Sequence, residues 1–196
     1  PSLIKKAAEK HEIKDLEEYI KKILRVCKGK PVSLEVIGDN YKSMLKEGKQ
    51  LYNKFNHIAK NVCIKIPVNP CMSSTCQKNS DGLKTIKALA KEGIPVNCTL
   101  IFTPEQALLA SKAGAKFISP FVGRVDDNLR KKIGAKFGKE DYYPKEGILK
   151  GKNLVEDEGV VSGVDLINQI YKIFKKGEKN SEILAASIRN KRQFRE

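Results

Sequence analysis

The feature that most constrains this chain is a repeated change of period. Short, nearly continuous apolar runs alternate with longer segments whose apolar residues recur every three to four positions. The strand-like runs are 32–37, 62–68, 96–102, 116–122 and 183–188. Helical spacing fills about 12–27, 41–59, 82–91 and 164–174. A further helix opens at Thr103-Pro104-Glu105, with Thr as N-cap and Pro at the first helical position, and closes at Ala113-Gly114. Strands alternating with helices imply βαβ units and a parallel sheet. Apolar strands of this kind belong to a sheet covered by helices. No Gly-rich phosphate loop follows the first strand, as a dinucleotide or Walker fold requires. Polar residues instead gather in the C-terminal halves of the strands, where a closed barrel builds its site.

The expected fold is therefore α/β, a (β/α)8 TIM barrel rather than an open doubly wound sheet. Five strands are clear, and a barrel takes about 250 residues. The barrel is thus expected to be incomplete here, with its first strands and last strand missing. Residues 1–196 read as one partial barrel domain, and 126–163 as an irregular insertion rich in Gly, Lys and acidic residues. The chain opens on Pro1 rather than Met, so a segment of a longer protein is expected.

Composition narrows the function classes. Hydrophobic residues make up 40% of the chain, enough for a core and against a disordered tail. No apolar run is long enough for a membrane span, and residues 1–6 hold no secretory h-region. The 38 Lys+Arg against 23 Asp+Glu leave a net charge of +15, which raises nucleic acid as a partner. Yet the lysines are scattered among glutamates, and the clusters Lys131-Lys132, Lys175-Lys176 and Lys191-Arg192 lack interleaved aromatics. A small anionic substrate suits this surface better. Five cysteines without a signal segment imply reduced thiols and a cytoplasmic protein. Cys71 and Cys76 are spaced for a local disulfide or a soft metal, but nothing completes a zinc site. Cys63 and Cys98 lie in apolar runs and read as core residues.

Glu35, Lys65, Asn97, Thr99, Ser119, Arg124, Ser187 and Arg189 lie on or just past the five strands. Each taken singly also reads as a strand-end or structural polar group. Lys65 stands apart, flanked by Cys63, Ile64, Ile66 and Val68. On a central strand, burial would disfavour its ammonium form, and a neutral amine attacks carbonyls to make a Schiff base. On an edge strand it would be a snorkelling surface lysine. In a barrel, Glu35, Asn97, Thr99 and Ser119 would neighbour it and supply the proton transfers of imine chemistry. Arg124, Ser187 and Arg189 would supply two guanidinium forks and a hydroxyl for a phosphate.

Four segments carry a resemblance: Val62-Cys63-Ile64-Lys65-Ile66-Pro67, Gly93 to Phe102, Ile118-Ser119-Pro120-Phe121-Val122-Gly123-Arg124-Val125, and Ala185-Ala186-Ser187-Ile188-Arg189-Asn190. In this order they resemble the transaldolase family along almost the whole chain, and Pro1-Ser2-Leu3-Ile4 is similar to the tail of a further family motif. The resemblance implies a class I, Schiff-base barrel with Lys65 as nucleophile. Glu35 and Thr99 would work with a bound water in proton transfer. Asn97 and Ser119 would contact substrate, and Arg124, Ser187 and Arg189 would hold its phosphate. Phe121 matches the transaldolase branch, where the fructose 6-phosphate aldolase branch carries Tyr. Glu35 and the long 126–163 segment point the same way, although Glu158 stands where the family has Pro. The acid–base Asp of the family's first strand and the Asn of its second are not among these residues, which the resemblance explains by missing ends.

The implied reaction moves a dihydroxyacetone unit between sugar phosphates such as fructose 6-phosphate and sedoheptulose 7-phosphate, in the pentose phosphate pathway. It needs no metal or organic cofactor and no nucleic acid or membrane partner. The family's habit of forming dimers or rings implies a homo-oligomer. A fructose 6-phosphate aldolase-like enzyme and a non-catalytic sugar-phosphate or nucleic-acid binding module are the alternatives.

Overall fold

A computed structural model describes residues 13, 15–71, 73, 75–138, 140–177 and 181–196. The N-terminal resemblance at Pro1–Ile4 and residues 12 and 14 of the expected 12–27 helix lie outside them. The chain divides into two compact units, Pro1–Asn97 and Cys98–Glu196.

In the first unit, helix α1 (Leu16–Val26), strand β1 (Val32–Glu35), helix α2 (Tyr41–Ala59), strand β2 (Val62–Pro67) and helix α3 (Asp81–Lys91) alternate before β3 (Val96–Ile101) begins. Local chemistry sets the helix starts. Glu17 and Glu18 N–H groups donate to the Asp15 carboxylate, and Asn40 and Ser43 form a reciprocal capping box. Helix α2 ends at left-handed Lys60 (φ 53°). The next residue, Asn61, donates from Nδ2 to the carbonyls of Leu24, Cys27 and Lys30, tying down the end of α1. β1 and β2 pair in parallel from Val32↔Val62 to Glu35↔Lys65. Ile64 N–H donates to Pro95 O at 2.8 Å, which carries the ladder on to β3.

Leu34, Ile64 and Ile66 are buried with Leu24, Met44, Ile86 and Leu89. Each contributes roughly 1.5–3 kcal/mol by leaving water. Gly48 lets α2 close on this layer, since a Cβ there would sit 3.2 Å from both Ile64 Cγ2 and Leu89 Cδ1. Between β2 and α3 the cysteine expectation splits. Cys71 and Cys76 are joined as a disulfide rather than reduced, the local option their spacing allowed. Cys27, Cys63 and Cys98 are free, and the last two are buried as core residues. Burial pushes the Cys98 thiol far up, so it stays protonated.

The second unit holds the rest of β3, then α4 (Pro104–Lys112), β4 (Phe117–Pro120), α5 (Val122–Ile133), the hairpin β5 (Leu149–Lys150) and β6 (Asn153–Leu154), α6 (Gly163–Lys176), β7 (Glu182–Ile183) and α7 (Lys191–Arg195). Thr103 caps α4 with Pro104 at its start, as its sequence requires. β4 pairs in parallel with β7. β7 is shorter than the 183–188 run. Leu184 and Ala186 N–H groups still donate to Ile118 and Pro120 carbonyls, and the ladder stops at left-handed Ser187 (φ 60°).

The irregular stretch begins at 134, because its first eight residues belong to α5. Val122, Val125 and Leu129 form a buried stripe that interspersed Asp and Arg residues conceal in the sequence. β5 and β6 form a separate antiparallel pair, while in the first unit β2 lies between β1 and the start of β3, and in the second β4 lies between β3 and β7. This is the alternating parallel α/β arrangement the sequence implies.

Candidate active site

The first unit contributes three of the expected residues. Side chains alternate across a strand. Leu34, Ile64 and Ile66 face the helices, so Ser33, Glu35, Cys63 and Lys65 occupy the opposite face. Glu35 and Lys65 are register partners, about 4.8 Å apart as parallel strands lie, and both are half-buried. β2 lies between β1 and β3, so the edge-strand alternative for Lys65 falls away. The Ile64–Pro95 hydrogen bond sets Asn97 beside Lys65. Asn97 is 2% exposed and its Nδ2 donates to Ser33 Oγ at 3.0 Å, reaching across β2 to β1. Beyond β1, the Glu47 carboxylate accepts from Ile37 and Gly38 N–H at 2.9 and 3.0 Å, which fixes the turn leaving Glu35.

The second unit holds the other six. Thr99 is fully buried, and its Oγ1 has no hydrogen-bond partner among the described residues. Such a hydroxyl costs about 1–3 kcal/mol unless something bonds it. Leu100 next to it is left-handed at φ 58°, a strained conformation for a side chain with Cβ. Ser119 is buried on β4. Phe121 stacks at a tilt on Phe102, with ring centroids 5.9 Å apart. The Arg124 guanidinium lies 4.7 Å from the Phe121 centroid, a cation–π contact that orients it.

The start of α5 meets the segment after β7. Val122 N–H donates to Ala186 O, and Gly123 N–H to Ser187 O. Glycine is required here, because a Cβ on residue 123 would lie 2.5 Å from Ser187 O and 2.6 Å from Arg189 Cγ. Arg189 donates from Nε to Ser187 Oγ at 3.3 Å and from Nη2 to Asp127 Oδ2 at 2.9 Å. Ser187 and Arg189 therefore stand at a helix N-terminus, whose dipole favours an anion, although the Val122 and Gly123 N–H groups there are already donated to Ala186 O and Ser187 O. Arg124 belongs to the same first turn of α5. A cavity of about 390 Å³ opens beside Phe102, Arg124, Val125 and Asp127. A larger one, about 700 Å³, lies on α2 and contains none of the expected residues.

Sequence reasoning missed Asp127, the partner of Arg189, and the close approach at Gly123. It also missed Asp126 and Gln193. Asp126 is 1% exposed and accepts from Gly163 N–H at 2.7 Å and from Gln193 Nε2. Burial, the dominant cause, raises its carboxyl above the ordinary range. One signal was available: Asn190-Lys191-Arg192-Gln193 has the spacing of an N-cap followed by Gln at the third helical position. Among the described residues no cluster of His, Cys, Asp and Glu is placed to hold a metal, and no helix is long and apolar enough to cross a membrane.

Comparison with known proteins places these residues in context. The family model described as transaldolase/fructose-6-phosphate aldolase matches residues 1–196. A "Probable transaldolase" of Nitrosopumilus maritimus is 40% identical over 190 residues, which cover 97% of this chain and 63% of that protein. Proteins of the same description from Leptospira biflexa and Methanococcus vannielii are 37% and 40% identical, with 68% and 65% of their lengths covered. The chain thus spans about two thirds of the relatives it matches.

Proposed function

The chain belongs to the transaldolase/fructose-6-phosphate aldolase family, and on that premise we propose that it transfers a dihydroxyacetone unit between sugar phosphates through a Schiff base on Lys65. Its parallel strands are then part of the family's (β/α)8 barrel. The observation that carries the proposal is the register pairing of half-buried Glu35 on β1 with half-buried Lys65 on β2, the strand that β1 and β3 flank. A carboxylate and an amine so placed form an acid–base and nucleophile couple.

Lys65 Nζ attacks the C2 carbonyl of a ketose phosphate, and loss of water leaves an imine. The C3–C4 bond breaks with its electron pair drawn into that imine, which becomes an enamine, and an aldose phosphate leaves. The enamine carbon then attacks the aldehyde of a second aldose phosphate. Hydrolysis frees the new ketose and returns the amine. Glu35 moves protons through a water, and the unsatisfied Thr99 hydroxyl suits a partner for it. Asn97 and Ser119 bind substrate hydroxyls. Arg124, Ser187 and Arg189 hold the phosphate, supported by their arrangement at the start of α5. The imine serves as the electron sink, so the reaction uses no cofactor. Fructose 6-phosphate and sedoheptulose 7-phosphate are the proposed donors, in a cytoplasmic pentose phosphate pathway and in a homo-oligomer.

An aldolase-like reading uses the same imine but releases dihydroxyacetone without an acceptor. Phe121 and Glu35 favour transfer. The test is release of glyceraldehyde 3-phosphate from fructose 6-phosphate with and without an added aldose phosphate. Transferase activity requires multiple turnovers only with the acceptor. Equal turnover without it would assign the aldolase reaction instead.

A further inference from the structure

Arg189 is held from two directions. Its guanidinium is oriented by Asp127 Oδ2 and Ser187 Oγ. Its backbone is held by Gln193, whose Oε1 accepts from Arg189 N–H at 2.8 Å. Gln193 is 5% exposed and donates its amide N–H to Asp126 Oδ2. Asp126 spends its other oxygen on Gly163 N–H, at the start of α6. The Gln193 amide is therefore used on both sides, and its orientation is set by a buried acceptor that Gly163 N–H holds in turn. A cap glutamine at this helix position reaches back toward the chain before the helix: Gln106 on α4 accepts from Thr103 N–H at 3.3 Å and from Phe102 N–H, the residue before the cap, at 2.8 Å. Gln193 makes the second of these contacts, and the residue before its cap is Arg189, which the proposed function assigns to the phosphate.

We propose that Gln193, fixed by Asp126, is a positioning residue that sets Arg189 for the substrate phosphate. The proposal rests on the sugar-phosphate reading above. Fixing the main chain at Arg189 matters because a long side chain held only at its tip must be ordered anew for each ligand, which costs affinity. Phosphate recognition by a guanidinium fork is also directional.

The experiment is calorimetric binding of fructose 6-phosphate to the wild-type chain and to Gln193→Met, Gln193→Glu and Arg189→Ala, with melting curves to confirm folding. Methionine keeps the shape and removes both hydrogen bonds. Gln193→Met is expected to weaken binding about fivefold to tenfold, and Arg189→Ala more. Gln193→Glu keeps the acceptor for Arg189 N–H but faces Asp126 with a second carboxylate, with Asp127, Arg130 and Tyr143 as the other titratable neighbours. Its affinity relative to wild type is expected to recover between about pH 8 and about pH 5.5, as one of the two carboxyls takes up a proton. Gln193→Met shows no such recovery, so a merely structural role is distinguished. Wild-type affinity in Gln193→Met, with affinity lost in Arg189→Ala, overturns the positioning role and leaves the phosphate site standing. Wild-type affinity in Arg189→Ala overturns both.

Discussion

Replacing Gly123 by Ala tests the junction on which the phosphate half of the site depends. The added Cβ would lie 2.5 Å from Ser187 O, 2.6 Å from Arg189 Cγ and 2.8 Å from Arg189 Nε. Cβ atoms essentially never come within 3.0 Å of such neighbours, so something must shift. One of the three is backbone, and the hydrogen bonds of Val122 and Gly123 to Ala186 O and Ser187 O hold it in place. Overpacking of this kind costs about 1–3 kcal/mol. For a chain of this size each kcal/mol lowers Tm by about 2–4 °C. Urea unfolding should show a lower midpoint at unchanged slope, and fructose 6-phosphate affinity should fall as Arg189 moves. Gly134→Ala is the control. Gly134 has φ 74° and nothing within 4 Å of the added Cβ, so the substitution costs about 1–2 kcal/mol of backbone strain and leaves affinity unchanged. Gly123→Ala with wild-type stability and affinity would refute the close-contact reasoning.

Lys65→Met should fold normally and show no acceptor-dependent turnover in the coupled assay, since no amine remains to form the imine. Asp126→Asn should flatten the pH dependence of stability. Burial raises the Asp126 carboxyl, so its contribution is full below the unfolded value near 3.8 and is lost as pH rises through the folded one; urea midpoints measured across that range, wild type against variant, report the difference. Asp81 behaves oppositely. The Tyr41 N–H donated to Asp81 Oδ2, with Lys84 nearby, lowers its carboxyl, so its stabilisation is present above about pH 4 and is lost on acidification; Asp81→Asn should cost about 1 kcal/mol at neutral pH. Reducing Cys71–Cys76 should lower stability by at most about 2 kcal/mol, because the closed loop is short, as urea midpoints with and without a dithiol will show.

The repeating strands and helices were legible because the strands are mostly short apolar runs and several helices carry their own start signal, at Asp15, Asn40, Thr103 and Ser162. Thr103-Pro104 opens α4 by cap chemistry alone. The two main misreadings have physical causes. α5 begins with a residue that makes no side-chain cap and carries four charged residues in its first nine, so its apolar stripe was masked. β7 stops early because Ser187 turns left-handed to meet Gly123, a tertiary demand that no local pattern announces. At the site, Lys65 and Glu35 were readable as polar residues on apolar strands, and their pairing follows from parallel register. Asp127, Asp126 and Gln193 were not. They act through partners as far as 67 residues apart in sequence, and each alone looks like an ordinary helix-surface residue.

The central claim is that Lys65 is the Schiff-base nucleophile. The most direct test is borohydride reduction in the presence of fructose 6-phosphate, followed by peptide mass spectrometry. The account predicts a substrate-derived adduct on Lys65, of three carbons after cleavage, and none in Lys65→Met. An adduct on a different lysine would contradict it, as would failure to trap any adduct both on this chain and on one extended at both ends.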